Sequence, residues 1–168
     1  MQDNISRFLQ NVTDNLLRRT LDPLLRTLGR AVATVATRGA GLEIAAAASP
    51  LAQIGSTSTF VATVNGRLVT VAAGVDMPAL TGLTIAASSF NVACFFISGA
   101  SVVTVAFGTS ATTVGGVRFP DFPVDLALVG FLLITHSATF TGGTTALDTA
   151  TTVYVSPVGA FDPTFLYN

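Results

Sequence analysis

The chain has 168 residues, enough for one domain with a sizeable core but too few for two domains joined by a linker. Half of the residues are hydrophobic and 10% are charged, so a monomer would have little charge with which to cover its surface. We therefore expect the protein to assemble. The single cysteine, Cys94, excludes an intrachain disulfide and a thiolate metal cluster.

Residues 1–38 are predicted to form an N-terminal helical arm. Apolar side chains follow the spacing of one helical face, and they are Ile5, Phe8, Leu9, Val12 and Leu16. Pro23 ends or kinks this helix, and a short second helix precedes Gly29. Because an isolated helix of this length is marginal in water, we expect its apolar face to bind a partner or sister subunits. The alternative is that the arm lies across an open face of its own domain.

The arm is also the basic part of the chain. All eight basic residues are arginines, and six of them lie before residue 39. With three aspartates, residues 1–38 have a net charge of +3; residues 39–168 have two arginines and six acidic residues, a net charge of −4. A basic arm could contact nucleic acid, but interspersed aspartates disfavour binding along a phosphate backbone. We therefore do not expect nucleic acid as a partner.

Residues 39–168 are predicted to form a β domain. Threonine, valine and alanine alternate there, and Asn65-Gly66 separates two such runs, 59–64 and 67–71, as in a type I′ hairpin. Further strands are predicted at 83–87, 90–98, 101–107, 126–136 and 151–155, with an earlier one within 41–48. About eight short strands favour a mainly β fold, an antiparallel β-sandwich or jelly-roll-like domain rather than an α/β fold.

Two segments are predicted to connect strands. Pro120 and Pro123 lack ladder donors, so residues 119–123 must cross between sheets or lie at an edge. Residues 139–148 have the composition of a turn-rich loop.

The inventory of reactive residues favours a protein that is not an enzyme. His136 is the sole histidine and follows a long apolar strand, where a structural role is the more common one. Asp121 and Asp125 are closely spaced but sit in a proline-rich loop without the pattern of a calcium-binding loop. Gly142-Gly143 lacks the lysine and helix of a phosphate-binding loop. We predict no catalytic, cofactor or metal site and no small-molecule substrate.

No membrane partner is expected either. The charge-free stretch between Asp76 and Arg118 is interrupted by proline and glycine, whereas a spanning helix needs about 20 continuous apolar residues. The first residues lack the apolar core of a secretory signal, so we expect synthesis in the host cytoplasm.

The β region resembles a group of small virion proteins of tailed bacteriophages over roughly residues 57–156. The resemblance follows the order NGRLVTVAAG, LTGLTIAASSFNVACFFIS, FPDFPVDLALVGFLLIT, ATFTGGTTALD and TTVYVS. It implies a capsid decoration (cement) protein on the virion surface, a homotrimer bound to the major capsid protein. The alternatives are a tail, baseplate or fibre component, an outer-membrane protein and, least favoured, an enzyme using His136 or Asp121.

Overall fold

The computed structural model describes residues 34–159 and Phe161. The predicted arm up to residue 33, with Ile5, Phe8, Leu9, Val12 and Leu16, lies outside the described residues. The strands within the described part are β1 Val35–Arg38, β2 Glu43–Ile44, β3 Ala52–Gln53, β4 Phe60–Val64, β5 Arg67–Val71, β6 Thr84–Ile85, β7 Phe90–Ser98, β8 Val103–Phe107, β9 Leu126–Thr135, β10 Phe140–Thr141 and β11 Thr151–Val155. A short 3-10 helix, Val114–Gly116, lies between β8 and β9.

The strands form a sandwich-like pair of antiparallel sheets. The smaller sheet has the order β1-β4-β5 and the larger sheet β11-β9-β7-β8, and two ribbons, β2-β3 and β10-β6, accompany them. The prediction of a mainly β, antiparallel domain is therefore confirmed. The hairpin prediction is confirmed as well: β4 and β5 flank Asn65 and Gly66, whose φ angles of 51° and 78° are those that a type I′ turn requires.

The main core lies between the two sheets. Alternate residues of β4 and β7 point into it, and the rings of Phe60 and Phe95 are fully buried there. Burial of such a ring contributes roughly 1.5–3 kcal/mol, which makes these two side chains major sources of stability. The other buried residues of the facing strands are Ala62, Val64, Val69, Val71, Ala93, Ile97, Ala127, Val129, Leu132 and Ile134.

A β-bulge in β9 explains how one apolar run serves both faces of the larger sheet. The β7–β9 register shifts between Phe95 and Phe96, which pair with Gly130 and Leu128, so Val129 is the extra residue. Val129 on one side of the bulge and Leu132 on the other both enter the main core. Ala127 and Ile134 also enter the main core, whereas Leu126, Leu128, Phe131 and Leu133 belong to the apolar cluster on the outer face.

The structure departs from the predicted boundaries in three places. Val35–Arg38, assigned to the arm, forms β1 and pairs with β4, so four residues of that segment belong to the smaller sheet. Ala52–Gln53 and Phe140–Thr141 are two-residue strands that the sequence did not predict, and the second lies in the predicted loop 139–148. The first pairs with β2 and the second with β6, and two residues are too few to show an alternating pattern in the sequence.

Candidate binding surface

At one end of the sandwich, three loops lie near Thr34, the residue at which the arm joins the domain. The Asn65 N–H donates to Oγ1 of Thr34 at 3.1 Å, and the Asn65 side-chain amide donates to Oδ1 of Asp125 at 3.4 Å. Gly99, in the β7–β8 turn, lies beside Val64, with 3.9 Å between its ideal Cβ position and Val64 Cγ1. We call this end, made of Thr34, residues 65–68, 98–102 and 124–125, the arm end.

The arm end carries exposed apolar side chains. Val124 is 74% exposed, Leu68 67% and Val102 57%, and they come from three different segments. A single exposed valine is ordinary, but apolar residues gathered where a predicted amphipathic segment joins are typical of a protein contact. Arg67 and Asp125 are exposed nearby, so the charge of this surface is balanced rather than basic.

The outer face of the larger sheet is apolar. β7, β8, β9 and β11 contain no charged residue, although a sheet with one face in water normally alternates apolar and polar side chains. The register places these residues on the outer face: Val92, Cys94, Phe96, Ala106, Leu126, Leu128, Phe131, Leu133, Val153 and Val155. Another layer must therefore cover this face.

The covering layer comes mainly from the connection between β8 and β9. Phe119 packs edge-on against Phe131, with 5.0 Å between ring centroids, and Phe122 packs edge-on against Phe96 at 5.1 Å. Phe161 completes this aromatic layer, with its ring 6.0 Å from that of Phe122. The proline-rich segment predicted as a crossover is thus a lid of phenylalanines over the sheet.

The lid leaves a cavity of about 220 Å³. Its walls are formed by Val92, Val114, Gly115, Val117, Phe119, Phe131 and Leu133. Val114 is 52% exposed and marks its rim. We call this cavity the lid pocket; its apolar walls suit an aromatic or aliphatic group.

His136 lies at the end of the sandwich opposite the arm end. The Ala138 N–H donates to Nδ1 of the ring across 3.2 Å, so the imidazole closes the turn after β9. A cavity of about 310 Å³ beside it is lined largely by Ser88, Ser137 and threonines. The ring therefore makes a local contact with the backbone of this turn.

The remaining reactive side chains are dispersed. Asp121 and Asp125 are both exposed, and Asp125 accepts the amide of Asn65. Cys94 is buried under the lid, and this burial raises the pKa of its thiol far above the ordinary value. Within residues 34–159, no three or more histidine, cysteine or acidic side chains are grouped as metal ligands would be.

Two further pKa values are shifted by local contacts. The half-buried Glu43 side chain accepts a hydrogen bond from the side-chain amide of Gln53 at 2.9 Å and another from the N–H of Ser56 at 2.7 Å, and both hydrogen bonds lower the pKa of its carboxyl group. Burial, with a smaller contribution from Asp148, raises the pKa of the Tyr154 hydroxyl. Glu43 thus fastens the β2-β3 ribbon and has no catalytic partner among these contacts.

Comparison with known proteins assigns no family: no protein-family model, no curated protein and no solved structure matches the chain. In the part of the chain that the structure describes, no helix has the length and apolar character needed to cross a membrane.

The candidate surfaces differ from those that the sequence singled out. The predicted partner-binding residues of the arm lie outside the described residues, so their role remains a prediction. Leu68, Val102 and Val124 went unnoticed because each is an isolated apolar residue in its own segment. Only the sheet register brings them to one end.

Proposed function

We propose that this protein is a non-enzymatic virion component that decorates and stabilises the assembled head of a tailed phage, with the major capsid protein as its partner. The observation that carries the proposal is the arm end. Exposed Leu68, Val102 and Val124 lie in segments at the same end of the sandwich as Thr34, the residue to which the arm with its predicted apolar face is joined. This arrangement suits attachment through one end of a rigid sandwich.

The low charge of the domain supports the proposal that it functions within a larger assembly. Eight charged side chains are spread over the described residues: Arg38, Glu43, Arg67, Asp76, Arg118, Asp121, Asp125 and Asp148. They lie in loops, in the β2-β3 ribbon and at the ends of β1 and β5. A surface of valine, threonine and alanine can pack against another protein with little cost of charge desolvation.

The proposed mechanism is thermodynamic linkage. A protein that binds the assembled shell but not its separate subunits stabilises the shell by its binding free energy. We propose a homotrimer with three arms, because several modest contacts on one rigid body give an affinity that a single contact does not. The likeness to jelly-roll decoration domains is part of the same proposal and rests on the resemblance within residues 57–156.

The arm is tested with charge substitutions on its predicted apolar face. The double variant Leu9→Asp/Val12→Asp should lose binding to assembled heads, because two carboxylates would have to be buried in the contact. The matched control Gln10→Asp/Asn11→Asp places the same charges on the opposite side of the predicted helix and should bind normally. Binding is measured by co-sedimentation with heads that lack the protein, and folding by circular dichroism.

The arm end is tested separately with Leu68→Asp and Val124→Asp. Both residues are exposed, so the domain should remain folded while head binding weakens by about tenfold or more for a contact residue. The control Val158→Asp changes a side chain that is 60% exposed and lies outside the arm end, so it should bind like the unchanged protein. Normal binding by the arm variant and both arm-end variants would refute the proposed attachment.

A further inference from the structure

The tip of the β4–β5 hairpin places an asparagine directly before a glycine at the protein surface. Asn65 and Gly66 are both exposed, and they are the two central residues of the type I′ turn. The side-chain amide of asparagine is thermolabile. It is lost when the backbone nitrogen of the following residue attacks its carbonyl carbon, Cγ. The surroundings of the Gly66 nitrogen therefore decide whether this turn is chemically stable.

The backbone nitrogen of Gly66 is accessible for such an attack. Among the residues that the structure describes, no group accepts a hydrogen bond from its N–H. In a two-residue hairpin the closing hydrogen bonds join the flanking pair, here Val64 and Arg67, and leave the N–H of the second turn residue free. No atom lies within 4 Å of the position that a Cβ on Gly66 would occupy. A cyclic imide at this position would therefore meet no neighbour on that side.

The side-chain amide of Asn65 is held only weakly. Its Nδ2 donates to Oδ1 of Asp125 across 3.4 Å, and both residues are exposed. This separation is longer than the usual range of about 2.7–3.2 Å for an N–H···O hydrogen bond. The side chain of Asn65 can therefore turn its Cγ toward the nitrogen of Gly66.

Asn91 in β7 provides a contrast within the same chain. It is 4% exposed, and its Nδ2 donates to Oγ of Ser110 at 2.9 Å. The N–H of the next residue, Val92, donates to Oδ1 of Asn91 at 2.7 Å, so the potential nucleophile is occupied by a hydrogen bond. Val92 is also β-branched, which crowds its backbone and restricts rotation. We therefore expect Asn91 to keep its amide and to serve as an internal control.

We propose that Asn65 is a site of spontaneous covalent modification that replaces its amide by a carboxylate. The Gly66 nitrogen loses its proton to solvent and forms a bond to Cγ of Asn65. The bond between Cγ and Nδ2 then breaks, and Nδ2 takes up a proton and leaves as ammonia. Water opens the resulting imide at either carbonyl carbon, which gives aspartate or isoaspartate at position 65. The reaction involves no change of oxidation state.

Either product changes the arm end. The amide donor to Asp125 is replaced by a second carboxylate, which has an ordinary pKa of about 3.9, is ionised at neutral pH and repels the first. Isoaspartate also adds a carbon atom to the main chain, so the loop loses the geometry that aligns β4 with β5. Modified molecules therefore have an additional negative charge and a less stable hairpin, whatever partner the arm end binds.

Peptide mapping by mass spectrometry tests the proposal on the full-length protein, incubated in mildly alkaline buffer at physiological temperature. A synthetic peptide of residues 59–71, incubated in parallel, reports the reaction without the fold. We expect position 65 of the folded protein to lose its amide nitrogen, with isoaspartate among the products, while Asn91 keeps its amide. Retention of the Asn65 amide in the folded protein after the peptide has lost its own would overturn the proposal.

The pH dependence tests the route of the reaction. The attacking nitrogen must lose its proton, so the rate of amide loss at position 65 should rise with pH. A rate that does not rise between neutral and alkaline buffer would contradict formation of the imide.

The variant Asn65→Gly tests the consequence for the hairpin. Glycine accommodates the φ of 51° at this position, so the turn is retained while the labile amide is removed. After incubation the unchanged protein should bind an anion exchanger more tightly and melt at a lower temperature than before. The incubated variant should keep both properties. An unchanged melting temperature of fully modified protein would refute the proposed loosening of the hairpin.

Discussion

Replacing Gly130 by alanine tests the bulge that divides β9 between the two faces of the larger sheet. A Cβ at this position would lie 2.5 Å from the carbonyl oxygen of Val155 and 2.6 Å from Cδ1 of Leu42. The leucine can turn away, but the Val155 oxygen belongs to the backbone of β11, which pairs with β9. The substitution must therefore push β11 outward or distort the bulge.

The expected cost of this overpacking is about 1–3 kcal/mol of unfolding free energy. For a chain of this size, that corresponds to a melting temperature lower by about 2–12 °C. The matched control is Gly99→Ala, where the nearest atoms to the added Cβ are 3.9 Å away. This variant should be unchanged or more stable by up to about 1 kcal/mol, because alanine restricts the unfolded chain.

Urea unfolding followed by circular dichroism measures both variants against the unchanged protein. If Gly130→Ala is as stable as Gly99→Ala, then β11 does not lie against the bulge as described. The division of β9 into core-facing and outward-facing residues would then need revision.

Three further predictions concern stability and pH. Phe95→Ala should lower the unfolding free energy by about 3–5 kcal/mol, because the Phe95 ring is fully buried between the sheets. The control Val102→Ala, at an exposed site, should change the unfolding free energy by less than about 0.5 kcal/mol, and denaturant titration measures both variants. Burial raises the pKa of the Cys94 thiol, so the folded protein should not react with a thiol reagent, and rapid labelling of the folded protein would contradict this. Because the folded pKa is the higher one, the stability that the protonated thiol contributes should be lost as pH rises above the unfolded pKa of about 8.5. Hydrogen bonds from Gln53 and from a backbone N–H lower the pKa of Glu43. The stability that the Glu43 carboxylate contributes is therefore present above the unfolded pKa of about 4.3 and is lost as pH falls through the lower folded pKa. The variant Glu43→Gln should remove this dependence of the melting temperature on acidic pH.

The elements that the sequence predicts well are those specified by local chemistry. Asn65-Gly66 between two alternating runs determines the β4–β5 hairpin without help from the rest of the chain. The long apolar runs of β7 and β9 likewise indicate buried strands, because their length, their content of β-branched and aromatic residues and the turn residues that flank them favour a strand over a buried helix.

The elements that the sequence misses depend on distant contacts. β10 lies in the predicted loop 139–148 and pairs with β6, with Phe140 opposite Ile85, whereas β6 itself falls within the predicted strand 83–87. The bulge at Val129 lies beside Gly130, which Val155 and Leu42 approach closely although both are far away in sequence. A periodicity argument uses only neighbouring residues, so it cannot detect either feature.

The candidate surfaces show the same division. The apolar spacing of Ile5, Phe8 and Leu9 is a local pattern and gives a prediction about the arm. The arm end and the lid pocket each combine side chains from separate segments, and the sheet register together with the packing of the connecting loops determines which of them meet. A search for catalytic motifs passes over both, because both are built from valine, leucine and phenylalanine.

The most direct test of the proposed function is the copy number of this protein in purified virions, counted against the major capsid protein by quantitative mass spectrometry. A decoration protein distributed over the whole shell predicts a ratio of about one, because it follows the symmetry of the capsid lattice. A much smaller ratio would place the protein in the tail or at a vertex and contradict shell decoration, and its absence from the particle would contradict the virion assignment altogether.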